Sequence, residues 1–425
     1  MHVLDESHIL LFLVQLAILL GVARALGSAC EEVGVPALAG EILAGVVLGP
    51  TLLGRVSPEA SAWLFPNDDV QSTMLETVSW LGVFFLLLAS GFHVDVTKAR
   101  ATGRAALTVG IVGVLVPIAI GVPVFWMLDE GYRGEGSDQL SFALFVAVAG
   151  SITAISVVGR ALGDLGLGKT HEGGIAMSAC AVNDLFGWFL FTLVMSVATS
   201  TDVVPVEIAL TTFASIGFVG VCVLLGSQVL GMAARGVAHT SLRQPAATQA
   251  LVVGAGLVCG AITQWLGIHA ILGFFLAGTM AGSARGVSDE HRESLSDTMH
   301  AVFVPLFFAT LGLNVDFITG LELGVTALFT AVAVGGKFAG AWLGARLGGL
   351  DNPRSMLMGL VFVPGGAMEI VVATLALELG LIGQQMFVAI VFAALLSSVA
   401  VGPLVKLQAR RMGLSAASTR PHQRS

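Results

Sequence analysis

The octapeptide AVNDLFGW, residues 181–188, sets the amide of Asn183 beside the carboxylate of Asp184 in a stretch otherwise apolar enough to enter a membrane. A carboxyl group held away from water favours its protonated form, and an approaching cation favours the ionised form. Such a group holds a proton or a cation, but not both. If only loaded forms reorient across a membrane, that competition couples cation movement one way to proton movement the other way. The bland alternative for Asp184 is a structural carboxylate bonded permanently to a neighbour. Trp188, one turn further on, reads as a core side chain rather than a cation-binding face.

Three further ionisable groups lie deep in apolar sequence: Lys337 in GGKFAGAW, Glu369 in GGAMEIVVA and Glu41 in GEILAG. A charge near the bilayer centre costs at least about 2.5–3.5 kcal/mol on insertion scales, so each is a functional candidate. Lys337 either pairs with a carboxylate or releases its own proton when desolvated. Glu369, one turn beyond a Gly pair, and Glu41, beside Gly40, read as braces that hold helices together by hydrogen bonds. Two stretches would interrupt a helix near mid-membrane, AGSITAIS (149–156) and VPGGAM (363–368). The first offers the hydroxyls of Ser151, Thr153 and Ser156, which with freed carbonyls can replace water around a small cation. Hydroxyls that bond back to their own helix are the alternative. The second offers Pro364, Gly365 and Gly366, which break a helix by lacking an N–H or by loosening the backbone.

The elements that must position these groups follow from composition. A chain of 425 residues, 56% hydrophobic and only 11% charged, cannot be arranged as a water-soluble globule. Apolar runs of the length that crosses a hydrocarbon core recur near 8–27, 34–54, 75–93, 105–128, 141–162, 173–199, 204–232, 247–266, 268–284, 298–313, 321–346, 355–380 and 383–408. Arg24, Arg104, Arg160, Arg235, Arg285, Arg346 and the basic residues after 405 fall in alternate links, with Arg55 and Arg133 opposite them. Lys and Arg favour the cytoplasmic side, so the N-terminus is expected outside and the C-terminus inside. The acidic opening MHVLDESH is unlike a signal peptide, and the first run is expected to be retained. Cys30, Cys180, Cys222 and Cys259 lie in or beside apolar runs without CxxC spacing and read as packing residues. The net charge of −8 calls for no nucleic-acid partner, and no cofactor motif is present.

The order of motifs suggests duplication. ALAGEILAGVVLG (37–49) in span 2 matches AILGFFLAGTMAG (270–282) in span 9, and ASGFHVD (89–95) after span 3 matches TLGLNVD (310–316) after span 10. Spans 1–6 and 8–13 would then be copies of opposite orientation, with span 7 as linker. Inverted repeats are a transporter signature in which discontinuous helices from the two halves meet at the substrate site. The two proposed interruptions occupy equivalent positions of the two copies.

Seven motifs in order resemble the monovalent cation:proton antiporter-2 family of the sodium/proton exchanger superfamily: GEILAGVVLGPTLLG (40–54), TAISVVGRALGDLGL (153–167), AVNDLFGW (181–188), GIHAILGFFLAG (267–278), VPLFFATLGLNVD (304–316), GKFAGAWLGARLGGL (336–350) and GGAMEIVVA (365–373). The resemblance implies an all-α polytopic membrane protein of about thirteen transmembrane helices, two inverted six-helix repeats with crossed discontinuous helices. It implies a homodimer in which a mobile core (97–200 and 319–409) moves like an elevator against a scaffold (1–96 and 241–318), with 201–240 as linker helix and 410–425 as a short cytoplasmic tail. By position, Asp184 becomes the ion- and proton-binding carboxylate, Asn183 its neighbour, Thr153 a residue of the unwound helix and Lys337 the buried lysine. Two departures stand out. Related electrogenic proteins carry two adjacent acids where this chain has Asn183 and Asp184, which leaves Lys337 without its usual partner. They also commonly carry Arg before the Gly of the span 12 motif, where this chain has Gly365.

The expected function is secondary antiport of Na+ and/or K+ against protons across the cell membrane, electroneutral if one carboxylate titrates. The competing expectations are a potassium efflux system gated by a separate subunit, for which the tail is too short to supply a nucleotide-binding domain, and an exporter of a small organic metabolite or drug. The latter calls for a larger cavity with aromatic walls.

Overall fold

Backbone groups that water cannot reach must bond within their own segment, so long apolar runs fold as helices. The structure is a computed structural model that describes residues 5–94, 103–168, 170–199, 213–214, 216–238 and 244–413. Among the described residues ten helices are long and apolar enough to cross a membrane. The only named non-helical pairing there is an isolated β-bridge between Arg133 and Ile382.

The chain begins with α1 (Glu6–Glu32), α2 (Ala37–Leu48) and α3 (Asp69–Gly91). It continues with α4 (Arg104–Trp126), α5 (Gln139–Ala149), α6 (Ile155–Asp164) and α7 (His171–Thr199). The expected linker span begins outside the described residues and ends in α8 (Ser227–Ala238). Next come α9 (Gln244–Trp265), α10 (Ala270–Ser283) and α11 (Asp289–Thr298), which runs through one π turn into α12 (Val304–Leu313). The last four are α13 (Leu323–Leu347), α14 (Asn352–Val361), α15 (Ala367–Glu378) and α16 (Gln384–Arg411).

The interruptions expected at 149–156 and 363–368 are present: spans 5 and 12 are pairs of short helices, α5 with α6 and α14 with α15, each parted by non-helical backbone at 152–154 and 363–366. Span 9 holds a shorter helix, α10, of 14 residues, started by His269, whose ring accepts the Ile271 N–H, and ended by extended Ala284.

Helices pack in two groups. In one, α2 lies against α1 and α12, and α10 lies against α3 and α9. There Phe84 and Phe274 stack with ring centroids 4.5 Å apart. In the other, α4 lies against α5, α7 and α13, and α16 against α13, α14 and α15. A close approach of α4 and α13 is allowed by a small-residue face on α13: a Cβ at Gly344 would sit 2.5 Å from the Thr108 carbonyl oxygen of α4. Asp138 caps α5 by accepting the Leu140 and Ser141 N–H groups. The Ser141 hydroxyl, and then the two backbone bonds, hold its carboxyl below the usual aspartate range. The groups also meet at one edge, where Asp316 pairs with Arg55 at 2.7 Å and its carbonyl accepts from Gln384 of α16 at 3.2 Å.

Candidate ion-binding site

The two breaks touch each other. The Ala154 N–H donates to the Pro364 carbonyl at 3.1 Å, and the Thr153 hydroxyl donates to the Phe362 carbonyl at 3.0 Å. Each break thus supplies what the other lacks, which is how open backbone survives at this depth. Here the C-terminal ends of α5 and α14 meet the N-terminal ends of α6 and α15, so partial charges of both signs converge on one spot.

The α7 residues face this crossover. The Asn183 side-chain oxygen accepts the Thr153 N–H at 3.1 Å. Asn183, Asp184 and Thr153 are all fully buried. Among the described residues neither oxygen of Asp184 has a hydrogen-bond partner, and neither do the Asn183 Nδ2 and the Trp188 Nε1. A buried polar group without a partner costs free energy, and this carboxylate has both oxygens in that state, so the arrangement suits a group that a cation or proton visits.

Lys337 of α13 reaches the other side of the crossover. Its Nζ lies 3.3 Å from Glu369 Oε2 and 3.4 Å from the Ile152 carbonyl oxygen. With Asn183 in place of the usual acid, Lys337 takes the first of its two expected courses and pairs with a different carboxylate, Glu369. Glu369 stands in the first turn of α15, and the break before it brings that turn against α13. Its role is an ion pair with Lys337, more specific than a helix brace. The second departure has a steric basis, because a Cβ at position 365 would overlap the Glu369 carboxylate. Arg at 365 and Glu369 in this pose exclude one another.

Other expected residues separate from the cluster. Ser151 is buried but donates to the Val148 carbonyl of its own helix at 2.7 Å, the back-bonding alternative. Ser156 is exposed to a cavity on the far side of α6 from the buried cluster. Gly365 and Gly366 sit in the second break, as does Pro364, and there two residues unremarked in the sequence hold the backbone. The Gly365 N–H donates to Ser397 at 2.9 Å, and the Ser398 hydroxyl donates to the Gly365 carbonyl at 2.7 Å. A polar doublet in the otherwise apolar LLSSVA was the available signal.

The cavity measures about 450 Å³ and lies between the helix groups. The crossover forms one wall through Ser156, Ala367 and Ser398, and α1 and α2 form the other. At its mouth Arg160 of α6 pairs with Glu31 of α1 at 3.3 Å. Glu41 lines it with no hydrogen bond or ion pair among the described residues, so the expectation that it braces helices is corrected. Its side chain runs beside Gly27 of α1, where a Cβ would sit 3.5 Å from the Glu41 Cγ, near where Gly40 packs on the α1 backbone.

Comparison with known proteins agrees with this architecture. A family described as "Sodium/hydrogen exchanger, transmembrane" matches residues 11–407. The Na(+)/H(+) antiporter of Synechocystis is 27% identical over 95% of this chain and 98% of its own length. The K(+)/H(+) antiporter 1 of Saccharomyces cerevisiae is 30% identical over 96% of this chain and 47% of its own length. The chain thus spans nearly all of some relatives and about half of others. Among solved structures, the sodium proton antiporter of Methanocaldococcus jannaschii has the same fold, with a TM-score of 0.74 at 13% identity over 95% of this chain and 99% of that one.

Proposed function

This chain belongs to the sodium/hydrogen exchanger family, and on that premise we propose that it exchanges a monovalent cation, Na+ or K+, for protons across a membrane at Asp184. One observation carries the reading: a fully buried carboxylate whose two oxygens lack partners among the described residues, beside two broken helices. Relatives named Na(+)/H(+) and K(+)/H(+) antiporters support the substrates.

The chemistry follows from competition for one carboxylate. A dehydrated cation at Asp184 gains the carboxylate charge, the Asn183 amide oxygen and carbonyls freed at the crossover. A proton at Asp184 removes the charge and releases the cation. Thr153 keeps the unwound strand in register with Asn183. The pair of Lys337 and Glu369 is internally neutral, so it offsets helix-end charges without itself needing to titrate. One carboxylate cycling between proton and cation makes the exchange one-for-one and electroneutral.

Motion completes the cycle. Residues 97–200 and 319–409 form the core that carries the site, and 1–96 and 241–318 form the scaffold, held as a homodimer. The packing of helices in two groups and the charged cavity between them support sliding of one past the other, an elevator. Spans 1–6 and 8–13 are inverted copies in this reading, which explains why the breaks cross. The protein sits in the cell membrane with its N-terminus outside and its C-terminus in the cytoplasm.

The test is Asp184→Asn in proteoliposomes with a trapped pH dye. Added Na+, K+, Li+ and Rb+ each probe exchange in turn. The wild type should alkalinise or acidify the lumen with at least one ion, and the variant should be silent while keeping its elution volume in detergent. Exchange by the variant at the wild-type rate would remove Asp184 from the mechanism.

A further inference from the structure

Among the described residues two buried carboxylates are left unused by the exchange cycle, Glu172, which pairs with Arg354 at 3.1 Å, and Glu41. Glu41 is only 4% exposed, yet no side chain or backbone group among the described residues bonds to it. A buried acid in that condition is costly unless something else supplies its partner. Glu41 lies on α2, and the cavity it lines also receives Arg24 and Glu31 from α1, Arg160 and Asp164 from α6, and His300 from the π turn before α12. The arginine nearest the mouth is already engaged, because Arg160 pairs with Glu31. The helix α12, which also packs on α2, brings no charged side chain to this face. Across the cavity from Glu41 stand Ser156, Ala367 and Ser398, the outer surface of the crossover.

We propose that Glu41 is a second cation-binding carboxylate, a waiting site for a partly hydrated monovalent cation between solution and Asp184. The proposal rests on the exchange reading above. Three features make Glu41 suited to it. A cavity of about 450 Å³ has room for the ion with much of its water, so binding there needs no full dehydration. The carboxylate is on the helix group opposite the one that bears Asp184, so it stays behind when the loaded core moves. Ser156 and Ser398 line the same space, the Ser398 hydroxyl donating to the Gly365 carbonyl. An ion held at Glu41 thus meets oxygen atoms on the way to the crossover.

The consequence is sided. Cation entering from the cavity face is concentrated beside the crossover, and cation entering from the opposite face is not. Glu41→Gln keeps the shape and removes the charge. In right-side-out and everted membrane vesicles, the variant should show an apparent KM for the cation raised about fivefold at the cavity face, the effect of one unit charge at contact distance under water-like screening. The KM at the opposite face and the rate at saturating cation should be unchanged. Glu41→Asp should restore most of the cavity-face affinity. An unchanged KM at both faces overturns the proposal, and so does an equal rise at both, which marks a structural role. Loss of the saturating rate also overturns it, by placing Glu41 in the transport step itself. Asp184→Asn in the same vesicles separates the two readings: its silence with a wild-type KM in Glu41→Gln sinks the waiting site alone, whereas persisting exchange sinks the antiport mechanism.

Discussion

At the scale of single residues, the pairing of Lys337 with Glu369 decides how many charges the site must manage. Both side chains are about 1% exposed, and their separation of 3.3 Å is an ion-pair distance. Removing one partner of such a buried pair leaves an uncompensated charge and costs about 3–5 kcal/mol, while replacing both by apolar groups of similar volume is often near neutral. Lys337→Met and Glu369→Leu should therefore each lower the thermal midpoint in detergent sharply, and the double variant should recover most of the loss. Additive losses would show that the two side chains act separately. Asp184 and Asn183 were legible in the sequence because a carboxylate and an amide interrupt apolar residues, and Lys337 for the same reason. The partnership was not legible. Glu369 lies 32 residues along the chain from Lys337, on another helix, and only the turn imposed at 363–366 brings them together. Gly365 read as a missing arginine, whereas the structure gives its space to the carboxylate that answers the lysine.

At the scale of elements, breaks rather than helices make the site. Runs of Gly, Pro and hydroxyl residues announced both interruptions, since each weakens i to i−4 bonding in a known way. What sequence did not announce was the source of replacement partners. Ser397 and Ser398 belong to α16, a separate and unbroken helix, and their use depends on which face of α16 meets the second break. The half-helix α5 has a different dependence, on its cap at the membrane surface. The Asp138 carboxyl accepts two backbone N–H groups there and the Ser141 hydroxyl, and its folded-state pKa lies below its usual value. A carboxyl lowered on folding contributes stability that is present above the unfolded value, about 3.9 for aspartate, and that is lost as pH falls through the lower folded value. Asp138→Ala should cost about 0.5–2 kcal/mol at neutral pH, the usual worth of an N-cap. Below the aspartate range the variant and wild type should converge. Thermal unfolding in detergent at about pH 7 and in steps downward to about pH 2 measures both. A gap that persists at the acid end would show that the carboxylate charge is not what caps α5.

At the scale of the whole molecule, the count of mobile charges sets what can drive transport. Each net charge moved across 100 mV is worth about 2.3 kcal/mol, so stoichiometry separates an exchanger run by ion gradients from one run by voltage. If Asp184 alone titrates, rate and end point in proteoliposomes should be indifferent to a potential imposed with valinomycin. Dependence on voltage would mean that Lys337 or Glu369 also changes protonation during the cycle. The fold class was legible from hydropathy and motif order, and the division of spans 5 and 12 into short helices was legible only from residue type, because a break a few residues long leaves mean hydropathy unchanged. The contact of Arg160 with Glu31 has one more consequence. It joins the two helix groups across the cavity mouth, and both side chains remain open to solvent, at 61% and 46%. An exposed pair of this kind is worth about 0–1 kcal/mol. In the proposed elevator, a bond that weak would tilt the population of inward and outward forms by at most about fivefold, since tenfold needs about 1.4 kcal/mol. On that reading it would act as a detent, favouring one stop on the track and yielding to thermal motion within each turnover.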